Sequence, residues 1–383
     1  MRIAVVHNLG PGGAHRRLSE QVANLDAELV EVCLSTAAPM TRDAIVVPYR
    51  PLAPRLPRAA RPPLRYVDLA RLERAWRRVA SVLERVSPDV VYANPCRFLQ
   101  APAALLATTA PSLYFCDEPR GAPAELAETR NPRTRMLYGR LHAAESRLDR
   151  AATGSATALA TNCEFTARAI RGAYGRDAAV LPMGIPPAFT PSWEAPEHLL
   201  SVGTLIPDKG HDIVLRAASL ARTRWPVMIV APRPDAGEEQ RLRGLAAQLG
   251  IELNIHVAVS DAALVSAYRR AQATLYLARE EPFGLVSLEA QACASPVIVT
   301  AAGGLPETLR HGETGWAVPR DASAAAAHLD LLDDPDLRLR IARCAATRAA
   351  EASWARATAE LERLLATVCV RRSASRGAVS STS

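Results

Sequence analysis

Residues 199–210 read LLSVGTLIPDKG, an apolar run followed by a glycine and by the start of a helical stretch. The run predicts a buried strand that ends at Gly203. The first residues of the chain show the same pattern, because the apolar run Ile3–His7 precedes the glycine-rich turn Gly10–Gly13. A strand, a glycine turn and a helix at both places indicate that the chain begins a sheet twice.

Short apolar runs alternate with helical stretches along both halves of the chain. The runs lie at 3–7, 29–33, 44–47, 89–93, 112–116 and 156–161 in the first half, and at 199–203, 227–231, 254–257, 273–277 and 296–300 in the second. Strands that alternate with helices form a parallel sheet that is covered on both faces. The predicted fold class is therefore α/β, with two Rossmann-like doubly wound lobes in tandem.

Five prolines at 182, 186, 187, 191 and 196 interrupt regular structure between the two series of strands. We predict a first domain at 1–185, a Pro-rich hinge at 186–196 and a second domain at 197–370. Residues 371–383 contain few apolar side chains, so a disordered tail is expected there. A chain of 383 residues is long enough for two cores of the usual size.

The composition excludes several classes of protein. A 49% share of hydrophobic residues and a 22% share of charged residues are typical of a packed globular protein. No apolar run approaches the roughly 18 residues that span a bilayer, and Met1–His7 is interpreted as a strand instead of a signal peptide. Seven scattered cysteines without a C-x-x-C pair favour a reducing compartment. We therefore expect a soluble, cytoplasmic protein.

The positive charge is concentrated between Arg50 and Arg85. This stretch holds ten arginines and three acidic residues, and its excess equals the formal net charge of +7 of the whole chain. Because Arg71, Arg74 and Arg78 fall on one helical face, we predict peripheral contact with an anionic membrane on its inner face, at about 1 kcal/mol per basic residue. A solvated arginine face and a patch for a soluble anionic acceptor are the alternatives. Few aromatic residues accompany the arginines, which argues against nucleic-acid binding.

Lys209 is the first candidate for a binding residue. It is the only lysine of a chain with 46 basic residues, and it follows the first strand of the second series. Ligands of parallel sheets bind at the carboxyl ends of strands, where a compact ammonium is suited to a phosphate. The alternative is a solvated lysine in the first turn of a helix.

The segment EPFGLVSLEA at 281–290 places Glu281 in a loop after a strand and Glu289 inside the next helix. Gly284 permits a close backbone approach, and a helix that starts near Leu285 directs N–H groups toward whatever Glu281 contacts. A diphosphate that carries a polyhydroxyl group fits this combination. Gly12 and Gly13 after the first strand allow a similar approach of an anion, although a tight turn explains them equally well.

Together these segments resemble the retaining glycosyltransferases of the GT-B fold, in the large group called GT4. The resemblance covers nearly all of residues 1–370. It rests on Gly12-Gly13, Pro88–Val91, Cys116–Arg120, Asn162–Phe165, Leu181–Ile185, Lys209, Glu281 with Glu289, Gly303–Glu307 and Ser353-Trp354, which occur in this order. It implies that the two lobes face an interdomain cleft. It also implies a UDP- or GDP-sugar as donor and a hydroxyl of a glycan, a lipid-linked molecule or a small natural product as acceptor.

The resemblance also implies roles for single residues. Lys209 would hold the donor diphosphate, Glu281 would contact the donor sugar, and Glu289 would bind the ribose hydroxyls. Gly12 and Gly13 would face the phosphates. Further backbone contacts to the donor would come from Phe283, Gly284 and Leu285.

This sequence departs from the family pattern at two positions. Thr204 stands where many members carry an arginine, so one cation of the diphosphate site is absent or is supplied from elsewhere in the chain. Asp117 stands where many carry a histidine that hydrogen-bonds the transferring sugar, and an ionised aspartate accepts such a bond but cannot donate one. We nevertheless count Thr204 with the donor site and Asp117 with the catalytic residues.

The resemblance further implies retention of configuration without a metal or a cofactor. Asp334-Pro335-Asp336 has the letters of a D-x-D metal motif, but its place between helices indicates a cap and a turn. Three other functions share some of these features. They are a glycoside hydrolase with two carboxylates, a nucleotide-sugar epimerase of similar fold, and a catalytically impaired nucleotide-sugar-binding protein. Product analysis separates them.

Overall fold

The computed structural model describes residues 1–53, 61–121 and 132–380. The chain divides into two compact units. The first comprises Met1–Asn162, Thr166–Leu181 and Thr358–Ser383, and the second comprises Cys163–Phe165 and Pro182–Ala357. The first boundary thus lies four residues before the predicted end of the first domain at 185.

The first unit contains a seven-stranded sheet in the order β3-β2-β1-β4-β5-β6-β7. Its strands are β1 (Arg2–Asn8), β2 (Glu28–Leu34), β3 (Ile45–Val47), β4 (Val90–Cys96), β5 (Ser112–Phe115), β6 (Ala158–Thr161) and β7 (Ala179–Val180). All neighbouring strands are parallel. The order reverses at β1, as in doubly wound folds. The helices of this part of the chain are α1 (Gly13–Asn24), α2 (Arg61–Val86), α3 (Pro132–Ser155) and α4 (Glu164–Tyr174).

Helix α2 shows why the basic stretch folds as it does. Leu72, Trp76, Val79 and Leu83 recur at helical spacing and are buried in the core of the first unit. The exposed arginines of the helix lie on the other faces, where their charges remain hydrated; they are Arg71, Arg74, Arg77, Arg78 and Arg85. Residues 54–60, which belong to the same basic stretch, lie outside the described residues.

The second unit contains a six-stranded parallel sheet in the order β10-β9-β8-β11-β12-β13. Its strands are β8 (His198–Val202), β9 (Val227–Ala231), β10 (Leu253–Val257), β11 (Ala271–Tyr276), β12 (Val297–Thr300) and β13 (Gly315–Val318). The helices are α5 (His211–Leu220), α6 (Ala236–Leu249), α7 (Asp261–Arg269), α8 (Leu285–Ala292), α9 (Ala322–Leu331) and α10 (Pro335–Ala349). The α/β class with two doubly wound sheets is confirmed.

The last helix, α11 (Trp354–Ser380), differs from the sequence-based expectation in two ways. Its residues from Thr358 onward belong to the first unit, where Leu361 and Leu365 are buried and Glu362 accepts a hydrogen bond of 2.7 Å from the Asp26 N–H. It also continues through residues 371–380, where a disordered tail was expected, because extending an existing helix requires no new nucleation. Residues 381–383 lie outside the described residues.

Two further expectations concern membranes and metals. Within the described residues, no helix combines the length and the apolar character that crossing a membrane requires. Asp334 caps α10 by accepting hydrogen bonds from the N–H groups of Asp336 and Leu337, as the cap-and-turn interpretation predicts.

Candidate functional site

Three side chains meet at the carboxyl end of the sheet in the second unit. The Lys209 Nζ donates to Glu281 Oε2 at 2.6 Å and to Tyr276 Oη at 3.1 Å. The Tyr276 hydroxyl donates in turn to Glu281 Oε2 at 2.7 Å. The Lys209 and Glu281 side chains are 23% and 21% exposed, whereas Tyr276 is buried. The structure therefore brings two predicted site residues together and adds a tyrosine that sequence reasoning missed.

The loop after β8 holds Lys209 in place. A short 3-10 helix, Pro207–Lys209, ends at Gly210, which has a left-handed φ of 74°. A Cβ at Gly210 would overlap the Leu277 carbonyl, so only glycine allows the loop to lie against the end of β11. The end of the strand that leads to Glu281 thus fixes the position of the Lys209 loop.

His211 stabilises the same loop from inside. Its Nε2 donates to the Thr204 carbonyl at 3.2 Å, and its Nδ1 accepts from the Ser201 hydroxyl at 2.9 Å. Burial lowers the pKa of His211, which favours the neutral ring that this pattern requires. The network also fixes the backbone of Thr204, which is partly exposed.

Two glycines hold the backbone of Glu281. The Gly304 N–H donates to the Glu281 carbonyl at 2.8 Å, and a Cβ at Gly303 or Gly304 would overlap the backbone of Glu281 and Pro282. The downstream glycine turn that the sequence shows at 303–304 therefore acts on the carboxylate loop. Burial raises the pKa of Tyr276 well above its usual range, and the neighbouring Glu281 charge adds to the effect.

The remaining residues predicted for the donor lie in α8 or just before it. Gly284, with a φ of 104°, precedes the helix, and Leu285 is its first residue. Phe283 is partly exposed and lines a cavity of about 370 Å³ with Leu288. Glu289 is buried and accepts a hydrogen bond of 3.0 Å from the Tyr268 hydroxyl. This burial contradicts a solvated helix position for Glu289.

Asp117 belongs to the first unit, whereas the Lys209 cluster belongs to the second. Its two oxygens accept from Arg17 Nε and Nη2, both at 3.0 Å. The Arg17 guanidinium is 1% exposed, lies 3.9 Å over the Phe115 ring, and also donates to Gln21 and Asn94. Burial acts to lower the pKa of Arg17, but the Asp117 charge and hydrogen bonds outweigh it, so the pKa is raised. Asp117 is the counter-ion of a buried arginine.

Gly12 and Gly13 also lie in the first unit, at the start of α1. Both are exposed, and no atom lies within 4 Å of the position that a Cβ would occupy. The open space permits a close approach of a ligand to the backbone. Their predicted contact with the donor phosphates stays a prediction.

His7, Glu31 and Cys33 form the group of potential metal ligands found among the described residues. The His7 Nδ1 accepts from the Leu9 N–H, so its Nε2 carries the proton and donates to Glu31 at 2.8 Å. Burial opposes ionisation of Glu31, but hydrogen bonds from His7, Met40 and Thr41 lower its pKa to about 2. Burial raises the pKa of the Cys33 thiol to about 11. These bonds give the group a structural role in the core.

Comparison with known proteins adds family information for the second unit. Residues 189–348 match the family described as glycosyl transferases group 1. A D-inositol 3-phosphate glycosyltransferase of Acidothermus cellulolyticus is 34% identical over 227 residues, which cover 52% of this chain and 51% of that protein. A protein of the same name from Frankia alni is 39% identical over 169 residues, which cover 41% and 42%. The matches thus span about half the length of these relatives or less.

Solved structures match the fold over almost the whole chain. The sucrose-phosphate synthase of Thermosynechococcus elongatus has a TM-score of 0.75 at 17% identity, covering 97% of this chain and 99% of that one. HepE of Anabaena in complex with UDP has a TM-score of 0.75 at 18% identity, covering 96% and 100%. At this identity the likeness shows the fold alone. The GT-B expectation for the architecture is confirmed.

Proposed function

We propose that this chain transfers a sugar from a nucleotide-diphosphate sugar to a hydroxyl acceptor, because residues 189–348 match the family described as glycosyl transferases group 1. The observation that supports the proposal most is the Lys209–Tyr276–Glu281 cluster at the carboxyl ends of β8 and β11. Parallel sheets bind nucleotides at this edge. A partly exposed ammonium and carboxylate there offer one group to the diphosphate and one to the sugar hydroxyls.

In the proposed reaction, Lys209 exchanges its bond to Glu281 for one to the donor diphosphate. The acceptor oxygen bonds to the anomeric carbon, the bond from that carbon to the phosphate oxygen breaks, and the same phosphate oxygen takes the acceptor proton. Lys209 stabilises the negative charge that develops on the leaving diphosphate. Glu281, released from the lysine, accepts hydrogen bonds from the sugar hydroxyls. We propose retention of configuration without a metal or a cofactor, since this scheme requires neither a separate base nor a cation besides Lys209.

We propose the donor and the acceptor as chemical classes of molecule. A UDP-sugar is favoured over a GDP-sugar, because HepE of Anabaena was solved with UDP and with UDP-glucose. Glu289 of α8, which accepts a hydrogen bond from Tyr268, would bind the ribose hydroxyls that both donors share. The acceptor is a hydroxyl of a glycan, a lipid-linked molecule or a small natural product.

A second candidate is a nucleotide-sugar-binding protein with impaired catalysis. Asp117 favours it, because both of its oxygens already accept hydrogen bonds from Arg17 and it is less available for a substrate. An epimerase of similar fold would use the same Lys209 cluster without an acceptor.

Product analysis tests the proposal. The full chain is incubated with UDP- and GDP-sugars, a panel of hydroxyl acceptors and a chelator, and the products are identified by NMR. We expect release of nucleoside diphosphate that depends on the acceptor, persists with the chelator, and leaves the anomeric configuration unchanged. An isomerised donor would identify an epimerase, free sugar a hydrolase, and donor binding without turnover the impaired binding protein.

We also propose that the arginines between Arg50 and Arg85 bring the protein to the inner face of an anionic membrane. The described arginines of α2 at 71, 74 and 78 are exposed, which supports such a contact. Sedimentation with anionic and neutral vesicles at low and high salt tests it. Salt-reversible association with the anionic vesicles alone is expected, and no association at low salt would contradict the contact.

A further inference from the structure

Four arginines line a cavity of about 500 Å³ in the first unit. The cavity lies beside the edge strand β3, and its wall is formed by residues that follow β2 and β3 and by one face of α2. The arginines are Arg50, which follows β3, and Arg71, Arg74 and Arg78 of the helix. The basic face of α2 therefore lines a concave site.

The packing of α2 explains why three of its arginines share this cavity. Residues 71, 74 and 78 recur at the spacing of one helical face, next to Ala75, which is buried and lines the cavity. The Arg71 Nη2 donates to the Arg50 carbonyl at 3.1 Å, which ties the helix to the segment after β3. Tyr49 is buried and adds an apolar surface to the cavity.

The cavity holds positive charge without a neutralising partner. Among the described residues, none of its four arginines forms an ion pair with an acidic residue, and no described acidic residue lines the cavity. The two nearest acids of α2 are engaged elsewhere. Asp68 accepts from the Leu52 and Ala53 N–H groups at 2.8–3.0 Å, and Glu73 pairs with Arg77 at 3.5 Å.

Like charges that converge on a cavity repel one another, and a bound anion relieves this repulsion. Guanidinium groups match the oxygens of a phosphate by paired hydrogen bonds, and four of them exceed what a single carboxylate would require. A volume of about 500 Å³ falls within the usual range for sites of small molecules. The membrane contact proposed above needs no such concavity, so the cavity calls for a ligand of its own.

We infer that this arginine pocket binds the phosphate group of a small phosphomonoester. That this phosphomonoester is the sugar acceptor rests on the proposed transferase function. The acceptor is then a phosphorylated molecule. Binding at the pocket is separate from donor binding at Lys209, so the two proposals fail independently.

Calorimetry with glycerol 3-phosphate and inorganic phosphate at low salt tests the pocket in the full chain. The test variant is Arg74→Ala with Arg78→Ala, and its control is Arg77→Ala with Arg85→Ala, which removes the same charge from exposed positions of the same helix outside the pocket. We expect the test pair to lower the affinity for glycerol 3-phosphate at least tenfold and the control pair to change it less than twofold. Lys209→Ala should leave this affinity unchanged.

Three results would overturn the inference. Equal losses in both pairs would mean that general electrostatic attraction binds the anion. The absence of binding to the unsubstituted protein would mean that the pocket takes no phosphomonoester. The third result concerns a second experiment, the association of the protein with vesicles of phosphatidic acid in phosphatidylcholine. If the test pair weakens this association, the control pair does not, and the protein fails to bind glycerol 3-phosphate, the pocket belongs to a lipid headgroup instead.

Discussion

Each unit has an ion pair where its strands end, and the two pairs differ in what surrounds them. In the second unit, Lys209 and Glu281 are each about one-fifth exposed and bond through one carboxylate oxygen. In the first unit, Arg17 is almost completely buried and bonds to both oxygens of Asp117. The same architecture thus carries one pair in which both side chains are partly exposed and one in which the cation is buried and only the Asp117 side chain, at 18%, is partly exposed.

The difference in burial of the two cations distinguishes a pair suited to ligand binding from a pair suited to stabilising the fold. A buried charge that loses its partner destabilises the fold, whereas a partly exposed pair can exchange one partner for a ligand at small cost. The Lys209 pair therefore fits a binding site. The Arg17 pair fits a fixed brace between α1 and the segment after β5, and it gives Asp117 a structural role besides the predicted catalytic one.

The largest expected effect is on stability, at Asp117. Asp117→Ala would leave the Arg17 guanidinium buried without its counter-ion, and we expect the free energy of unfolding to fall by about 3–5 kcal/mol. Urea unfolding measures this change. The control is Glu73→Ala, which removes the acid of a surface pair with Arg77 and should cost less than about 1 kcal/mol. Equal costs would mean that the Arg17 pair is not the brace that its burial indicates.

Lys209→Ala should show the opposite profile. Loss of a charge-assisted contact of roughly 1.5–3 kcal/mol would lower the affinity for UDP or GDP about tenfold or more, with little change in unfolding. Calorimetry with each nucleotide checks the affinity. Arg243→Ala removes one positive charge from an exposed pair with Glu239 and serves as the control. An unchanged nucleotide affinity in Lys209→Ala would remove this residue from the site.

The two carboxylates of the 281–290 segment should differ from each other. Glu281→Gln is expected to impair turnover more than nucleotide binding, because its side chain points to the partly exposed Lys209 cluster. Glu289→Ala is expected to weaken the binding of any ribonucleotide, by a factor of about 5 to 10 for one lost hydrogen bond to ribose. Kinetics and calorimetry on both variants separate kcat from affinity. Parallel losses of rate and affinity in both variants would contradict separate roles.

The sequence predicted the sheets of both units because apolar runs and turn residues act locally. It missed β7 and β13, since Ala179–Val180 has two residues and Gly315–Val318 begins with a glycine. It singled out Lys209, Glu281 and Gly284 as candidates because their residue types are unusual at the end of a strand, and the structure brings Lys209 and Glu281 into contact. Residues whose role depends on distant partners were not found.

Arg17 and Tyr276 illustrate this limit. Arg17 lies 100 residues before Asp117, and nothing local distinguishes it from the many other arginines. Tyr276 has the signature of an ordinary strand residue, and its hydroxyl meets Lys209 only because β8 and β11 are neighbours in the sheet. Its place five residues before Glu281, at the carboxyl end of a strand, is the signal that a sequence search could use.

A substitution of Tyr276 tests the Lys209–Glu281 pair through the smallest effect that we expect. In the structure its hydroxyl accepts from Lys209 and donates to Glu281, so it holds both groups in the free protein. Tyr276→Phe removes this oxygen and keeps the buried ring, and we expect the affinity for the donor or the turnover to change by a factor of about 2 to 10, the equivalent of one net hydrogen bond.

Tyr268→Phe, which loses its bond to Glu289, is the comparison variant, and it should affect binding of the bare nucleotide and of the donor alike. Tyr276→Phe should instead affect the sugar nucleotide more than the bare nucleotide, because Tyr276 bonds the carboxylate proposed for the sugar. The same ratio of the two affinities in both variants would mean that Tyr276 supports the fold and does not position Glu281.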